Sequence, residues 1–309
     1  MRVITQHSLG GPEVLEAAEA DRPTPGPGEV LVQVRATGVN PADWKVRSGH
    51  VRWFGDPPFV LGHEFSGVVA ETGSPDSGFR PGDEVFGWAM PPHGSNAECV
   101  LVPETSVAAK PGNIDHVHAA SLPIAGLTAW QALVNIARVQ AGQRVLVHGA
   151  AGGVGHFAVQ IAKARGAHVT GTARTVKHEF LRGLGADELI DYTTTDFTTV
   201  QTVDVVLDTI SKDYGPRSLR TLNPGGILID VVGVGVDRTA VKEQAEANGL
   251  RFVEYYLEPT PADMAGLAGL VEDGSLRPVV QEVLPLSDAA KAHELSESGR
   301  VRGKIVLVP

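Results

Sequence analysis

Residues 145–175 read VLVHGAAGGVGHFAVQIAKARGAHVTGTART, with small residues spaced A-x-G-x-x-G at Ala150, Gly152 and Gly155. A strand-like stretch comes before them. A helix-period stretch and a second strand-like stretch follow. In that setting the glycines act through what they lack. Gly152 lets a backbone approach a pyrophosphate, and Gly155 lets a helix pack close to a strand. A helix starting near Gly153 presents free N–H groups and a positive dipole end to phosphate oxygens. The stretch predicts a bound dinucleotide.

The end of the second strand selects among dinucleotides. An Asp or Glu there accepts the ribose 2′-hydroxyl of NAD. This chain reads GTARTVKHE, with Arg174 and Lys177 and no acid at the strand tip. A carboxylate repels a 2′-phosphate, whereas a guanidinium pairs with it through two prongs. The residues point to NADP.

These positions need a scaffold, and the patterns supply one. Residues 1 to about 120 are strand and turn: Val30, Val32 and Val34 alternate in GEVLVQVRATGVN, and PTPGPGE and RPGDEV break the runs. From Ser121 the character changes. IAGLTAWQALVNIARV carries apolar residues at helical spacing, and strands then alternate with helices for about 130 residues, the pattern of a parallel sheet covered on both faces. The tail returns through a strand, a helix and a final strand. The expected fold is α/β: a Rossmann doubly wound parallel sheet, residues 123–270, inserted into a GroES-like β-rich catalytic domain of residues 1–122 plus 271–309.

Composition narrows the partners. A formal net charge of −10 disfavours nucleic acid and anionic membranes, which need a basic face. The single cysteine, Cys99, permits no intramolecular disulfide and no multi-thiolate zinc site. With no signal-like start and no long apolar run, the expectation is a cytoplasmic chain.

The motifs GVNPADWKVRSG, LGHEFSGVV, GDEVFG, SLPIAGLTAWQAL, VLVHGAAGGVG, LGAD, DVVLDT, LNPGGILIDVVG and GKIVLV occur in that order. Together they make the chain resemble the medium-chain dehydrogenase/reductase superfamily, in its zinc-free quinone oxidoreductase (zeta-crystallin-like) branch. The resemblance implies cofactor and substrate in a cleft between the two domains, and a homodimer. It implies Gly152, Gly153 and Val154 on the pyrophosphate, Arg174, Lys177 and Tyr192 around the 2′-phosphate, and Thr128, Val232 and Gly233 near the nicotinamide. It places Asn40 toward the reaction and lets Lys304 reach the cofactor.

Zinc-dependent relatives hold metal with a cysteine in the first turn, a GHE histidine and a third ligand. Here Asn40 stands in the first turn, GHE is intact as Gly62, His63 and Glu64, and PIAGLTAW offers no third ligand. A catalytic zinc takes three protein ligands, so no metal is expected. His63 reads as a hydrogen-bonded residue at the substrate, with a metal site of Asp43, His63 and Glu64, or a proton relay, as alternatives. Without a Lewis acid, alcohol oxidation is hard, and a quinone or an α,β-unsaturated carbonyl is the better substrate. The expected activity is NADPH-dependent, zinc-independent reduction by direct hydride transfer. A zinc alcohol dehydrogenase and a non-catalytic nucleotide-binding protein are the competing readings.

Asn40, Asp43 and Lys45 are the candidate catalytic residues, the amide of Asn40 or the ammonium of Lys45 donating to the oxygen that gains charge. Trp44, Trp53 and His63 are candidate substrate contacts, with Phe54 and Phe59 nearby. Arg47 and Arg52 read as surface charge. His116 and His118 read as exposed.

Overall fold

The computed structural model describes residues 1–232 and 236–309. The chain forms two compact units, one of Met1–Leu127, Pro259–Gly274 and Pro278–Pro309, the other of Thr128–Glu258 with Ser275–Arg277.

In the second unit six strands form one parallel sheet, in the order Glu188–Ile190, His168–Thr172, Arg144–Val147, Val203–Asp208, Leu222–Asp230, Arg251–Glu254. The order runs outward in both directions from Arg144–Val147, which makes the sheet doubly wound and opens a switch point at that strand's carboxyl end. The central strands Arg144–Val147 and Val203–Asp208 carry buried runs, Val145–Val147 and Val205–Leu207, because both of their faces are covered. Leu146, Val206, Leu228 and Phe197 lie in one core.

In the first unit, Glu29–Val39 is the central strand. Val30, Val32 and Val34 face a core shared with Phe65, Val69, Val85, Val100 and Val102, as the alternation predicts. The last strand, Lys304–Val308, pairs antiparallel to it with Ile305 opposite Val39. The chain's end therefore does return to the first unit. That register brings Lys304 beside Asn40, 264 residues earlier.

Two elements depart from expectation. The helix Pro261–Glu272 belongs to the first unit, not with the nucleotide-binding segment. Leu267 packs against Gly126, and the carbonyl of Val271 accepts from Asn113 Nδ2 at 2.8 Å. The helix expected across 124–139 is α-helical over Pro123–Trp130 and widens to a π-helix over Gln131–Ile136. The Gln131 side chain at the start of the widened turn accepts from Tyr255 Oη and donates to the carbonyl of Glu258.

Candidate functional site

The glycine loop of the second unit turns at Gly149, whose φ of +61° lies in the region open to glycine. Its carbonyl accepts from Gly152 N at 2.9 Å. The helix Gly153–Ala164 starts at once, with Gly152 as an extended N-cap and no side chain capping its amides. Gly152, Gly153 and Val154 stay partly exposed, while Gly155 onward is buried. A Cβ on Gly155 would lie 2.3 Å from the Gly149 carbonyl oxygen and 2.7 Å from Ala150 Cα. That position therefore requires glycine. An uncapped helix start held close against a glycine turn fits a dinucleotide pyrophosphate.

Past the neighbouring strand His168–Thr172, exposed Arg174 donates from Nε to Tyr192 Oη at 3.3 Å. The backbone N–H of Lys177 donates to the Arg174 carbonyl at 2.8 Å. The structure thus joins Arg174 to Tyr192, with Lys177 one backbone turn beyond Arg174. Thr128 is buried, and Val232 N donates to Asp230 Oδ1 at 2.9 Å. Gly233 lies outside the described residues.

Two acids of this unit escaped the sequence reading. Asp191 accepts from Thr175 and Thr193; the signal was an acid at the end of the third strand, followed by Tyr-Thr-Thr-Thr. Asp208 ends the strand Val203–Asp208, inside the motif DVVLDT. Its Oδ1 accepts from Ile210 N and Ser211 N, and its buried Oδ2 has no partner among the described residues. Burial, with help from Asp230, pushes its carboxyl up to about 6.

In the first unit the buried polar groups form a connected set. Asn40 N-caps the helix Pro41–Arg47, and Asp43 Oδ2 accepts from Asn40 N at 2.7 Å. The other oxygen, Oδ1, lies 2.7 Å from His63 Nδ1 and accepts from Gly62 N at 3.1 Å. Burial raises the Asp43 carboxyl, but the neighbouring His63 imidazole, with His293 and the Asn40 backbone N–H, together outweigh that and leave it below the ordinary range. Glu64 is fully buried: Oε1 meets Lys304 Nζ at 2.6 Å and Asn40 Nδ2 at 2.8 Å, and Oε2 accepts from Ile124 N at 2.7 Å. Lys304 also donates to Asn40 Oδ1 at 2.6 Å. Gly38 makes room, since a Cβ there would sit 2.2 Å from Glu64 Oε1 and 2.6 Å from the Ala120 carbonyl.

This set does not fit a catalytic zinc. Among its side chains only His63 keeps a buried nitrogen, Nε2, with no partner among the described residues. Both Glu64 oxygens are taken, one by an ammonium, and Asp43 is bonded to His63 itself. Among the described residues no three His, Cys, Asp or Glu side chains gather as a metal site. The alternative of Asp43, His63 and Glu64 as joint ligands is corrected on that ground.

Other expectations change as well. Lys304 does not extend freely toward a cofactor; its ammonium neutralises Glu64. Asn40 uses Nδ2 and Oδ1 on Glu64 and Lys304. Arg47 is buried, not on the surface: its guanidinium reaches Glu297 at 2.5 Å, His293 Nδ1 at 3.3 Å and the Gly10 carbonyl. Burial holds His293 down to about 4, so it stands neutral beside that cation. His116 is half-buried, 2.8 Å from Ser66 Oγ and 3.3 Å from Glu84. Arg52 is exposed and pairs with Asp56, and His118 bonds Asp115.

Phe59 is core, but Trp53 is half exposed and Trp44 and Phe54 are intermediate. The Phe54 ring lies 6.0 Å from His63, and Lys45 Nζ stands 6.0 Å from the Trp44 ring. His63 and the aromatic segment are thus neighbours.

Comparisons with known proteins agree with both halves. Residues 26–112 match the alcohol dehydrogenase GroES-like domain family, and residues 184–307 match the zinc-binding dehydrogenase family. A 2-haloacrylate reductase of Burkholderia is 35% identical, covering 98% of this chain and 97% of its own. The quinone oxidoreductase structure from Coxiella burnetii superposes with a TM-score of 0.93 at 36% identity, over 100% of this chain and 99% of that one. A structure of an NAD-dependent alcohol dehydrogenase, 34% identical, also gives 0.93 and covers both chains fully.

Proposed function

Given that the chain belongs to the quinone oxidoreductase branch of the medium-chain dehydrogenase/reductase superfamily, we propose that it uses NADPH to reduce quinones or α,β-unsaturated carbonyls without zinc. It is an oxidoreductase, and its cofactor is a nicotinamide dinucleotide. The observation that carries the finer reading is the Lys304–Glu64–Asn40 cluster. Lysine supplies the positive charge beside Glu64, and one free imidazole nitrogen is too little to hold a Lewis acid. The substrate is therefore one activated by its own conjugation.

The reduced nicotinamide supplies a hydride. Gly152, Gly153 and Val154 hold the pyrophosphate through backbone amides. Arg174, Lys177 and Tyr192 take the 2′-phosphate, Arg174 as a planar fork. Thr128 and Val232 border the nicotinamide. On the acceptor side Trp44 and Trp53 offer flat apolar faces. Lys45 donates to the oxygen that gains charge. Asp43 fixes the His63 ring through Nδ1, so that Nε2 is the atom presented to a polar group. Asn40 holds Glu64 and Lys304 in place.

Two coarser points bear on setting. No helix among the described residues is long and apolar enough to cross a membrane. A buried, unpaired Cys99 whose thiol burial pushes up suits a reducing compartment, and we place the chain in the cytoplasm as a homodimer.

The test is cofactor consumption across quinones, enals and enones, with NADPH and NADH in parallel. A charge-assisted pair of about 1.5–3 kcal/mol predicts kcat/KM roughly tenfold or more higher for NADPH. Preference for NADH, or turnover of alcohols alone, contradicts the reading.

A further inference from the structure

Asp191 is the residue through which the two loops behind the 2′-phosphate position are joined. The strands His168–Thr172 and Glu188–Ile190 run parallel, with Thr172 opposite Ile190, and Ala173 N donates to the Ile190 carbonyl at 3.0 Å. Immediately beyond, regular pairing stops and the Asp191 side chain takes over. Its Oδ2 accepts from Thr175 N at 2.7 Å and from Thr175 Oγ1. Its Oδ1 accepts from Thr193 N at 2.9 Å and Thr193 Oγ1 at 2.6 Å. Its backbone carbonyl receives Thr194 N at 3.1 Å and Thr195 N at 2.9 Å.

Arg174 lies between Ala173 and Thr175, and Tyr192 lies between Asp191 and Thr193. Each is therefore pinned on both sides, and the two meet through the bond from Arg174 Nε to Tyr192 Oη. We propose that Asp191 is a positioning residue for NADP selection: its carboxylate holds Arg174 and Tyr192 ready for a 2′-phosphate instead of accepting a ribose hydroxyl itself. This rests on the NADP reading above.

Two arguments favour that role over the acid's more familiar one. A carboxylate has about four acceptor directions, and four donors already occupy them. A ribose 2′-hydroxyl would have to displace one. The same four hydrogen bonds, that of the Thr175 hydroxyl foremost, hold the carboxyl well below the usual carboxylate range, so the strut stays ionised at working pH. Its charge opposes a phosphate, but across solvent that repulsion is weak and screened. Losing the strut instead frees the long Arg174 side chain and its loop, and their ordering entropy then falls on ligand binding.

The test uses the full chain and two fragments, 2′,5′-ADP and 5′-AMP, titrated by calorimetry. Wild type binds 2′,5′-ADP more tightly. Asp191→Asn cannot accept from both threonines and is expected to weaken 2′,5′-ADP roughly tenfold while 5′-AMP stays within about twofold. Thr175→Val keeps the Asp191 charge but removes one bond, and is expected to shift 2′,5′-ADP in the same direction by a smaller factor. Tighter or unchanged 2′,5′-ADP binding in D191N overturns the proposal. So does equal weakening of both fragments, which marks general loss of the loop. Wild type binding both fragments alike overturns the NADP reading, and the strut falls with it.

Discussion

Gly155→Ala abolishes tight dinucleotide binding. The added Cβ meets the Gly149 carbonyl oxygen at 2.3 Å and Ala150 Cα and C at 2.7 and 2.8 Å. All three are backbone atoms of the turn itself, so no side chain can swing aside. The start of the helix Gly153–Ala164 must move off the turn, and it carries the amides of Gly153 and Val154 with it. Overpacking of this kind costs about 1–3 kcal/mol of stability. The loss in binding is expected to be larger, on the order of a hundredfold in Kd, because the phosphate-facing amides lose their common geometry. Fluorescence titration of the reduced dinucleotide measures it. Gly152→Ala is the control for stability, since its Cβ would meet only the Gly149 carbonyl, at 3.2 Å. Wild-type affinity in G155A would show that the pyrophosphate lies elsewhere.

Lys304→Met destabilises the chain by about 3–5 kcal/mol, the cost of leaving a buried charge without its partner. Methionine matches the stem but removes the donor to Glu64 Oε1, Asn40 Oδ1 and the Val39 carbonyl. Glu64 keeps only Asn40 Nδ2 and Ile124 N. For a chain whose whole stability is about 5–15 kcal/mol, that is a large fraction, visible as a fall in the thermal midpoint. The double variant Glu64→Gln with Lys304→Met removes both charges. It is expected to regain more than half the loss, since neutralising a buried pair is often tolerated. A double variant as unstable as K304M would mean that lysine serves packing and not charge balance.

Much of this was legible in the sequence because it is local. The alternation of Val30, Val32 and Val34 fixes a strand's face within five residues. The A-x-G-x-x-G spacing fixes a turn within six. Arg174 and Lys177 follow their strand directly. What sequence reading missed is long-range pairing. Arg47 sits in a polar stretch and reads as surface, yet its partners His293 and Glu297 lie 246 and 250 residues away. Lys304 reads as a side chain free to reach a ligand, and its partner Glu64 is in another strand. That pairing was within reach: the closing strand was expected to rejoin the first domain, and the register of Ile305 with Val39 then carries Lys304 to Asn40. Asp191 was missed for a different reason. The dinucleotide pattern points to an acid at the second strand's end, whereas Asp191 stands at the end of the third strand and bonds Thr175 just past the second.

The most direct test follows the hydrogen itself. Enzyme dialysed against a strong chelator is given NADPH deuterated at its transferring carbon, with an α,β-unsaturated ketone as acceptor. The account predicts one deuterium at the β-carbon of each product molecule and a rate unchanged by the chelator. Product without deuterium, or activity lost to the chelator and restored by zinc, would contradict it.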